Sequence, residues 1–206
     1  MRDYPAVDPG SPTLILAHGA GAGEQHPWMV RVGNGLSVRG IHVVTFNFPY
    51  MDAGKSVPDP AETLEKAWGT AWVHLTAGRP GPFFAGGKSM GGRIASQAAA
   101  KGGFDPPPAG LIFFGYPLHP PGKPQQRRDK HLPGIKPPML FLHGERDPFG
   151  SPTEMTGLTA QLPASTLHMV PGGDHSLVTR KKAGPEGDTL DRVMDQAAEW
   201  MRKVLY

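Results

Sequence analysis

The sequence predicts a three-layer α/β fold, with a doubly wound, mostly parallel sheet of about six strands flanked by helices. Three observations carry that prediction: six short apolar runs, amphipathic stretches between them, and a spacing of about 25–30 residues that leaves room for a crossover helix each time. At 206 residues, 38% hydrophobic and 19% charged, the chain can fill one globular core. It is expected to form a single domain over 1–206.

The apolar runs lie at 13–17, 41–46, 82–85, 111–115, 139–143 and 166–170. Most are apolar on both faces rather than alternating, as strands buried in a parallel sheet are. Between the second and third runs, Leu64, Ala67, Trp68, Ala71, Trp72 and Leu75 keep helical spacing, entered through Asp59-Pro60. The final helix is the clearest, because Leu190, Val193, Met194, Ala197, Met201, Val204 and Leu205 share one face. Asp188 and Asp191 at its start and Arg202 and Lys203 at its end complement the helix dipole. A weaker helix over 27–39 is interrupted by Gly33 and Gly35. There is no internal repeat.

The segment 116–138 breaks this rhythm with seven prolines, at 117, 120, 121, 124, 133, 137 and 138. It predicts a long irregular loop leaving the carboxyl end of the fourth strand, on the edge where open α/β sheets bind ligands.

Charge excludes some partners. The net charge is +3, too mild to argue for nucleic acid. Its positive part is concentrated in two places, five Lys or Arg with one Asp between Lys123 and Lys136, and Arg180-Lys181-Lys182. Setting those eight cations and one acid aside leaves 13 basic against 17 acidic residues. The absence of cysteine excludes a disulfide framework, a thiolate metal site and a cysteine nucleophile. No run approaches the length of a membrane span, and the start has no apolar signal core. The expectation is a soluble, cytoplasmic protein, monomer or homodimer, with no nucleic-acid or membrane partner.

The chemistry centres on Gly87-Lys88-Ser89-Met90-Gly91, a G-x-S-x-G match. It follows the strand candidate at 82–85 and precedes a helix candidate in which Ile94, Ala95, Ala98 and Ala99 are apolar. On such a strand-to-helix turn a serine is held with its hydroxyl exposed, and the amino end of the helix favours developing negative charge. A serine hydroxyl needs a base, and the expected chain order is Ser, then acid, then His. The strand at 139–143 runs into a loop carrying Glu145 and Asp147. Asp147 is favoured as the acid by its resemblance to the Gly-x-x-Asp spacing common in enzymes of this kind, with Glu145 the rival. After the next strand, Gly172-Gly173-Asp174-His175 places a histidine on a glycine-rich loop.

An oxyanion hole needs two amide donors. Met90, following the nucleophile, supplies one. Ala20, in the loop His18-Gly19-Ala20-Gly21-Ala22-Gly23, is expected to supply the other, with Gly21 next. That loop lacks the Lys-Ser/Thr ending of a phosphate cradle and a full G-x-G-x-x-G. Trp28, Tyr50 and Phe149 are candidate pocket walls, on loops that also carry His26 and Asn47. His119 is expected to overhang the site from the proline-rich loop. His18 and His143, at strand ends, are read as structural hydrogen-bonding groups, and Lys88 as packing sideways rather than binding an anion. No H-x-x-x-H pair or His/Cys cluster is present, so no metal is expected.

Together, His18-Gly-Ala-Gly-Ala-Gly, Phe46-Asn-Phe-Pro-Tyr-Met51, Gly86-Gly-Lys-Ser-Met-Gly-Gly-Arg93, Gly115 to Pro124, Gly144 to Gly150 and Gly173-Asp-His-Ser176 resemble the α/β-hydrolase superfamily. The resemblance is to its small dienelactone-hydrolase-like branch, which includes testis-expressed and chromatin-complex-associated hydrolase-like proteins and uncharacterised bacterial members. It implies catalytic roles for Ser89, Asp147 and His175, no cofactor, and a minimal sheet without a separate cap domain. True dienelactone hydrolases use a cysteine, so Ser89 implies a different substrate. The function expected is hydrolysis of a small carboxylic ester or thioester, with a negatively charged substrate as a subsidiary expectation from the basic loops. The alternatives are a binding or scaffold protein that keeps the fold without turnover, and an acyltransferase.

Overall fold

The computed structural model describes residues 1–8, 10–179 and 188–206. The basic triplet at 180–182 lies outside them. Seven strands form one sheet among the described residues: β1 (Arg2–Tyr4), β2 (Thr13–Ala17), β3 (His42–Phe46), β4 (Phe83–Lys88), β5 (Gly110–Phe114), β6 (Met139–Gly144) and β7 (Ser165–Val170). The six apolar runs correspond to β2 through β7. The seventh strand, β1, was not anticipated, because Arg2-Asp3-Tyr4 has two charges in three residues and no apolar run. It exists by pairing antiparallel with β3, Arg2 opposite Thr45 and Tyr4 opposite Val43.

The strand order is β1-β3-β2-β4-β5-β6-β7, and β2 to β7 run parallel. The chain winds outward from β2 to β3, then crosses back to add β4 on the other side of β2. The order therefore reverses between β2 and β4, and the loops after these strands diverge to leave a crevice. Among the described residues six helices complete the layers: α1 (Pro27–Ser37), α2 (Pro49–Asp52), α3 (Ala61–Thr76), α4 (Met90–Ala100), α5 (Pro152–Thr159) and α6 (Thr189–Leu205). Pro60 is itself the cap residue of α3, so that helix starts after the proline rather than on it. The short helix α5 is set by Ser151, whose side chain caps the Glu154 amide while Glu154 returns a bond to the Ser151 amide.

Alternation along the central strands divides the interior in two. Leu111 and Phe113 of β5 pack with Trp68 and Trp72 of α3 and Ile94 of α4. Ile112 and Phe114 pack with Met29 and Val32 of α1 and Met194 and Met201 of α6. Each fully buried side chain of this size contributes roughly 1.5–3 kcal/mol, so the parallel centre is the rigid part and its strand ends make a firm platform.

The segment 116–138 contains only one 3₁₀ turn, Leu132–Gly134, as its prolines predict. It is nonetheless well anchored. Leu118, Leu132 and Ile135 are buried against the α3–α4 side, and the Tyr116 hydroxyl donates to the Arg128 carbonyl at 2.7 Å. Lys123, Arg127, Lys130 and Lys136 are exposed on its surface. No helix among the described residues is long and apolar enough to cross a membrane.

Candidate active site

Ser89 stands at the end of β4, as the residue before the first turn of α4, with φ 50° and ψ −116°. Side chains other than glycine rarely hold a positive φ, and the surrounding structure must impose it. Here the Ser89 amide donates to the Phe114 carbonyl at 3.0 Å, and the Ser89 carbonyl accepts from the Arg93 amide at 3.1 Å. The turn is tight because its glycines let backbones touch. A Cβ on Gly87 would lie 2.2 Å from the Gly92 nitrogen, and one on Gly91 would lie 2.5 Å from the carbonyl oxygens of both Ala17 and His18. The glycines of the motif are thus required by packing.

The loop after β7 brings His175 to this serine. The Ser89 hydroxyl lies 2.8 Å from His175 Nε2, and His175 Nδ1 lies 2.7 Å from Asp147 Oδ2. Asp147, on the loop after β6, is buried, and its second oxygen accepts from the Phe149 amide at 2.9 Å. Burial pushes the Asp147 carboxyl up, but the His175 hydrogen bond, the neighbouring His175 and His143 charges and the Phe149 amide outweigh it and hold it below the usual carboxylate range. Glu145 is exposed and accepts from the Gly172 amide at 2.8 Å instead. Asp147, and not Glu145, is the carboxylate that bonds to His175.

Met90 opens α4, where the first backbone N–H groups have no partner within the helix, and Ala20 lies on the loop after β2, lining the cavity beside Ser89. His18 shapes that loop: its Nδ1 donates to the Gly19 carbonyl at 2.8 Å and its Nε2 accepts from the Phe48 amide at 3.0 Å. Both ring atoms are used by one neutral tautomer, and burial keeps the ring's pKa below its ordinary value. His143 is likewise structural, donating from Nε2 to the Gly150 carbonyl at 2.8 Å. The sequence reading of both residues agrees with their positions.

A cavity of ≈ 310 Å³ opens beside Ser89 and His175. Trp28 and Phe149 form its aromatic walls, and Ala20 and His26 also line it. The Phe149 ring lies against the His175 imidazole with centroids 4.2 Å apart.

Three expected lining residues lie elsewhere. Tyr50 is 1% exposed and sits beneath the loop, edge-on to His18 and stacked with Phe48, because the turn at Phe48-Pro49 directs it into the core. His119 is buried rather than overhanging. Its ring bonds to the Pro120 carbonyl and Glu154, while its amide donates to the Phe149 carbonyl at 3.1 Å. It supports the wall from behind. Gly21 turns outward at φ 71°, and a Cβ there would meet nothing within 4 Å. Asn47 also stays out of the cavity, accepting from the Glu24 amide and donating to Asp52.

A family model described as an alpha/beta hydrolase domain matches residues 10–205. The chain belongs to the alpha/beta hydrolase domain family. Solved structures similar to this hydrolase-family chain include a dienelactone hydrolase from Anabaena variabilis, 19% identical, TM-score 0.72, covering 97% of this chain and 88% of that one. A thermophilic esterase from Thermogutta terrifontis is 18% identical with TM-score 0.71, covering 98% and 92%. A Xanthomonas campestris protein described as an a/b serine hydrolase without lid is 23% identical with TM-score 0.62, covering 84% and 75%. At these identities the likeness establishes the fold.

Within this alpha/beta hydrolase domain, the residue that sequence reasoning undervalued is Lys88. It turns sideways onto the neighbouring His175 loop and also lines the cavity, with its ammonium 5.6 Å over the Trp28 ring and bonded to the His175 carbonyl. Burial lowers its pKa to about 8, against the nearby charges of Asp147 and Asp174, which act to raise it. The readable signal was its place next to the nucleophile; the side to which its stem turns depends on Trp28, 60 positions away in the chain.

Proposed function

We propose that this chain is a serine hydrolase of small carboxylic esters or thioesters, with Ser89 as nucleophile, His175 as general base and Asp147 as its orienting acid. The observation that carries this reading is the unbroken pair of hydrogen bonds, 2.8 Å from Ser89 to His175 and 2.7 Å from His175 to Asp147. Asp147 accepts the Nδ1 proton and so leaves Nε2 free to accept from the serine. As Ser89 Oγ bonds to the ester carbonyl carbon, its proton passes to Nε2 and the carbonyl oxygen becomes an oxyanion. The Met90 and Ala20 amides donate to that oxygen, aided by the amino end of α4. The intermediate collapses, the bond to the alcohol or thiol breaks, and the leaving group takes the proton from Nε2. Water then repeats the sequence on the acyl-serine and releases the acid.

The size of the cavity, ≈ 310 Å³, suits a small acyl or alcohol group. That a fold relative is described as an esterase agrees with ester chemistry here. The reading requires no cofactor and no nucleic-acid or membrane partner.

A fluorophosphonate probe together with p-nitrophenyl acetate tests it. Stoichiometric labelling of the wild-type protein is expected, lost in Ser89→Ala and strongly slowed in His175→Ala. Turnover in Asp147→Asn is expected to fall by about 10³-fold or more. A folded wild-type protein that neither labels nor hydrolyses would overturn the proposal.

A further inference from the structure

Lys88 carries a charge that no described residue neutralises through a direct ion pair. Its ammonium lies in the cavity wall, immediately before the nucleophile, over the face of Trp28. One of its three protons goes to the main-chain carbonyl of His175. Among the described residues no carboxylate pairs with it directly. The two nearest are committed elsewhere and do not line the cavity. Asp147 accepts from His175 and Phe149, and Asp174 Oδ1 accepts from the Ser176 amide at 2.8 Å and the Val178 amide at 3.3 Å.

A half-buried ammonium that lines the cavity, held by one carbonyl and an aromatic face, is partly desolvated with no direct counter-ion among the described residues, which is costly unless something completes it. If its role were only to tie down the His175 loop, a neutral donor would serve without that cost. We infer that Lys88 is the specificity group of the site and receives a carboxylate carried by the substrate, either on the acyl part or on the leaving group. This rests on the hydrolase reading above and narrows it from small esters to acid-bearing ones. An arriving carboxylate meets an ammonium that lines the same cavity as Ser89, and forms charge-assisted hydrogen bonds of the stronger kind. Bound there, it lies beside Ser89 and anchors one end of the substrate, so that the ester carbonyl is set against Oγ by the length of the spacer.

Two matched pairs of substrates test the inference on the full chain and separate the sources of the carboxylate. Monomethyl glutarate against methyl pentanoate places the charge on the acyl side; 4-acetoxybenzoate against 4-acetoxybenzamide places it on the leaving group. For one pair, kcat/KM of the wild type is expected to favour the anion by about 10- to 100-fold, chiefly through KM. Lys88→Met and Lys88→Gln should both collapse that ratio toward one. Lys88→Gln retains a donor for the His175 carbonyl, which keeps the test valid should Lys88→Met fail to fold.

Equal losses on anionic and neutral members would overturn the inference and leave Lys88 as a positioning residue of the His175 loop. A wild type without preference in either pair would overturn it as well. Calorimetric binding of 4-acetoxybenzoate, 4-acetoxybenzamide, monomethyl glutarate and methyl pentanoate to Ser89→Ala, with and without Lys88→Gln, reads the same preference without turnover. A charge preference lost with Lys88 in a protein that hydrolyses nothing would keep this inference and sink the hydrolase reading instead. No charge preference in binding overturns it whatever the activity.

Discussion

The Trp28 indole N–H donates to the main-chain carbonyl of Ser176 at 2.9 Å, which couples the first turn of α1 to the loop that carries His175. That loop has no regular structure of its own. Its further ties include the Lys88 bond to the His175 carbonyl and the Arg146 amide bond to the Gly173 carbonyl at 2.8 Å. The imidazole is therefore aligned by three separate elements, and the indole tie is the one that can be cut with least change in volume.

Trp28→Phe retains an aromatic wall and removes the donor. A typical hydrogen bond contributes about 1 kcal/mol to stability, so the melting temperature should fall by ~2–4 °C. The displacement of His175 should lower kcat/KM on a neutral ester by about tenfold. Steady-state kinetics with thermal melts check this, and a variant unchanged in both would remove Trp28 from any positioning role.

The nucleophile turn predicts a contrast between glycines. Gly91→Ala pushes a methyl group to 2.5 Å from two backbone oxygens, neither of which is the end of a flexible side chain. It should cost ~3 kcal/mol or more and abolish probe labelling. Gly157→Ala lies in α5 with nothing within 4 Å of the new methyl group. That change should stabilise by about 0.5–1 kcal/mol and leave labelling intact. Denaturant midpoints and probe labelling read both, and a tolerated Gly91→Ala would contradict the packing described for the turn.

What could be read from the sequence follows from which constraints are local. The runs that became β2 to β7 are apolar on both faces, and a parallel strand buried on both sides demands that wherever it lies in the sheet. Gly87, Ser89 and Gly91 were legible for the same reason, since the turn constrains its own backbone. Asp147 and His175 needed only the alternation of strands and loops to reach the same sheet edge. How Tyr50, His119 and Lys88 are placed relative to the cavity was not legible because their directions are set from outside. Tyr50 turns inward to pack on His18, His119 to reach Glu154, and Lys88 to meet Trp28. Each contact joins segments that no periodicity connects. β1 was invisible because three residues with two charges have meaning only beside β3.

His18 offers a test of how the oxyanion loop is held. In His18→Ala the Phe48 amide, wholly buried, loses its acceptor, which costs about 1–3 kcal/mol. The Gly19 carbonyl is released at the same time, so Ala20 should drift from the position where charge develops. A donor that acts in the transition state affects kcat more than KM. The expected result is a kcat lowered by about 10- to 100-fold with KM within about twofold, partly rescued by His18→Gln, which has both a donor and an acceptor. A matching change in KM, or no change at all, would contradict a role through the oxyanion loop.

The stability of the fold should fall in two steps as the solution is acidified. Burial holds His18, His131, His143 and His168 below the ordinary histidine value of 6.5 in the folded protein. The unfolded chain therefore takes up protons at these positions before the folded one does. Their contribution is fully present above 6.5 and is lost as pH falls from there toward the depressed folded values. A second step belongs to carboxylates. Asp147 is held down against its burial, and Glu154 is lowered to about 2 by its Ser151 hydrogen bonds, so their contribution persists above the ordinary carboxylate range and is lost beneath it. Melting temperatures should thus decline between pH 6.5 and 5, and decline again below about 4.5. His143→Gln can still donate to the Gly150 carbonyl but cannot take up the proton, so it should flatten the first decline and leave the second. A wild-type profile level from pH 7 to 5 would mean that the buried imidazoles find partners for their charged form, contrary to the bonding of His18, whose two ring nitrogens are already committed to one donor and one acceptor.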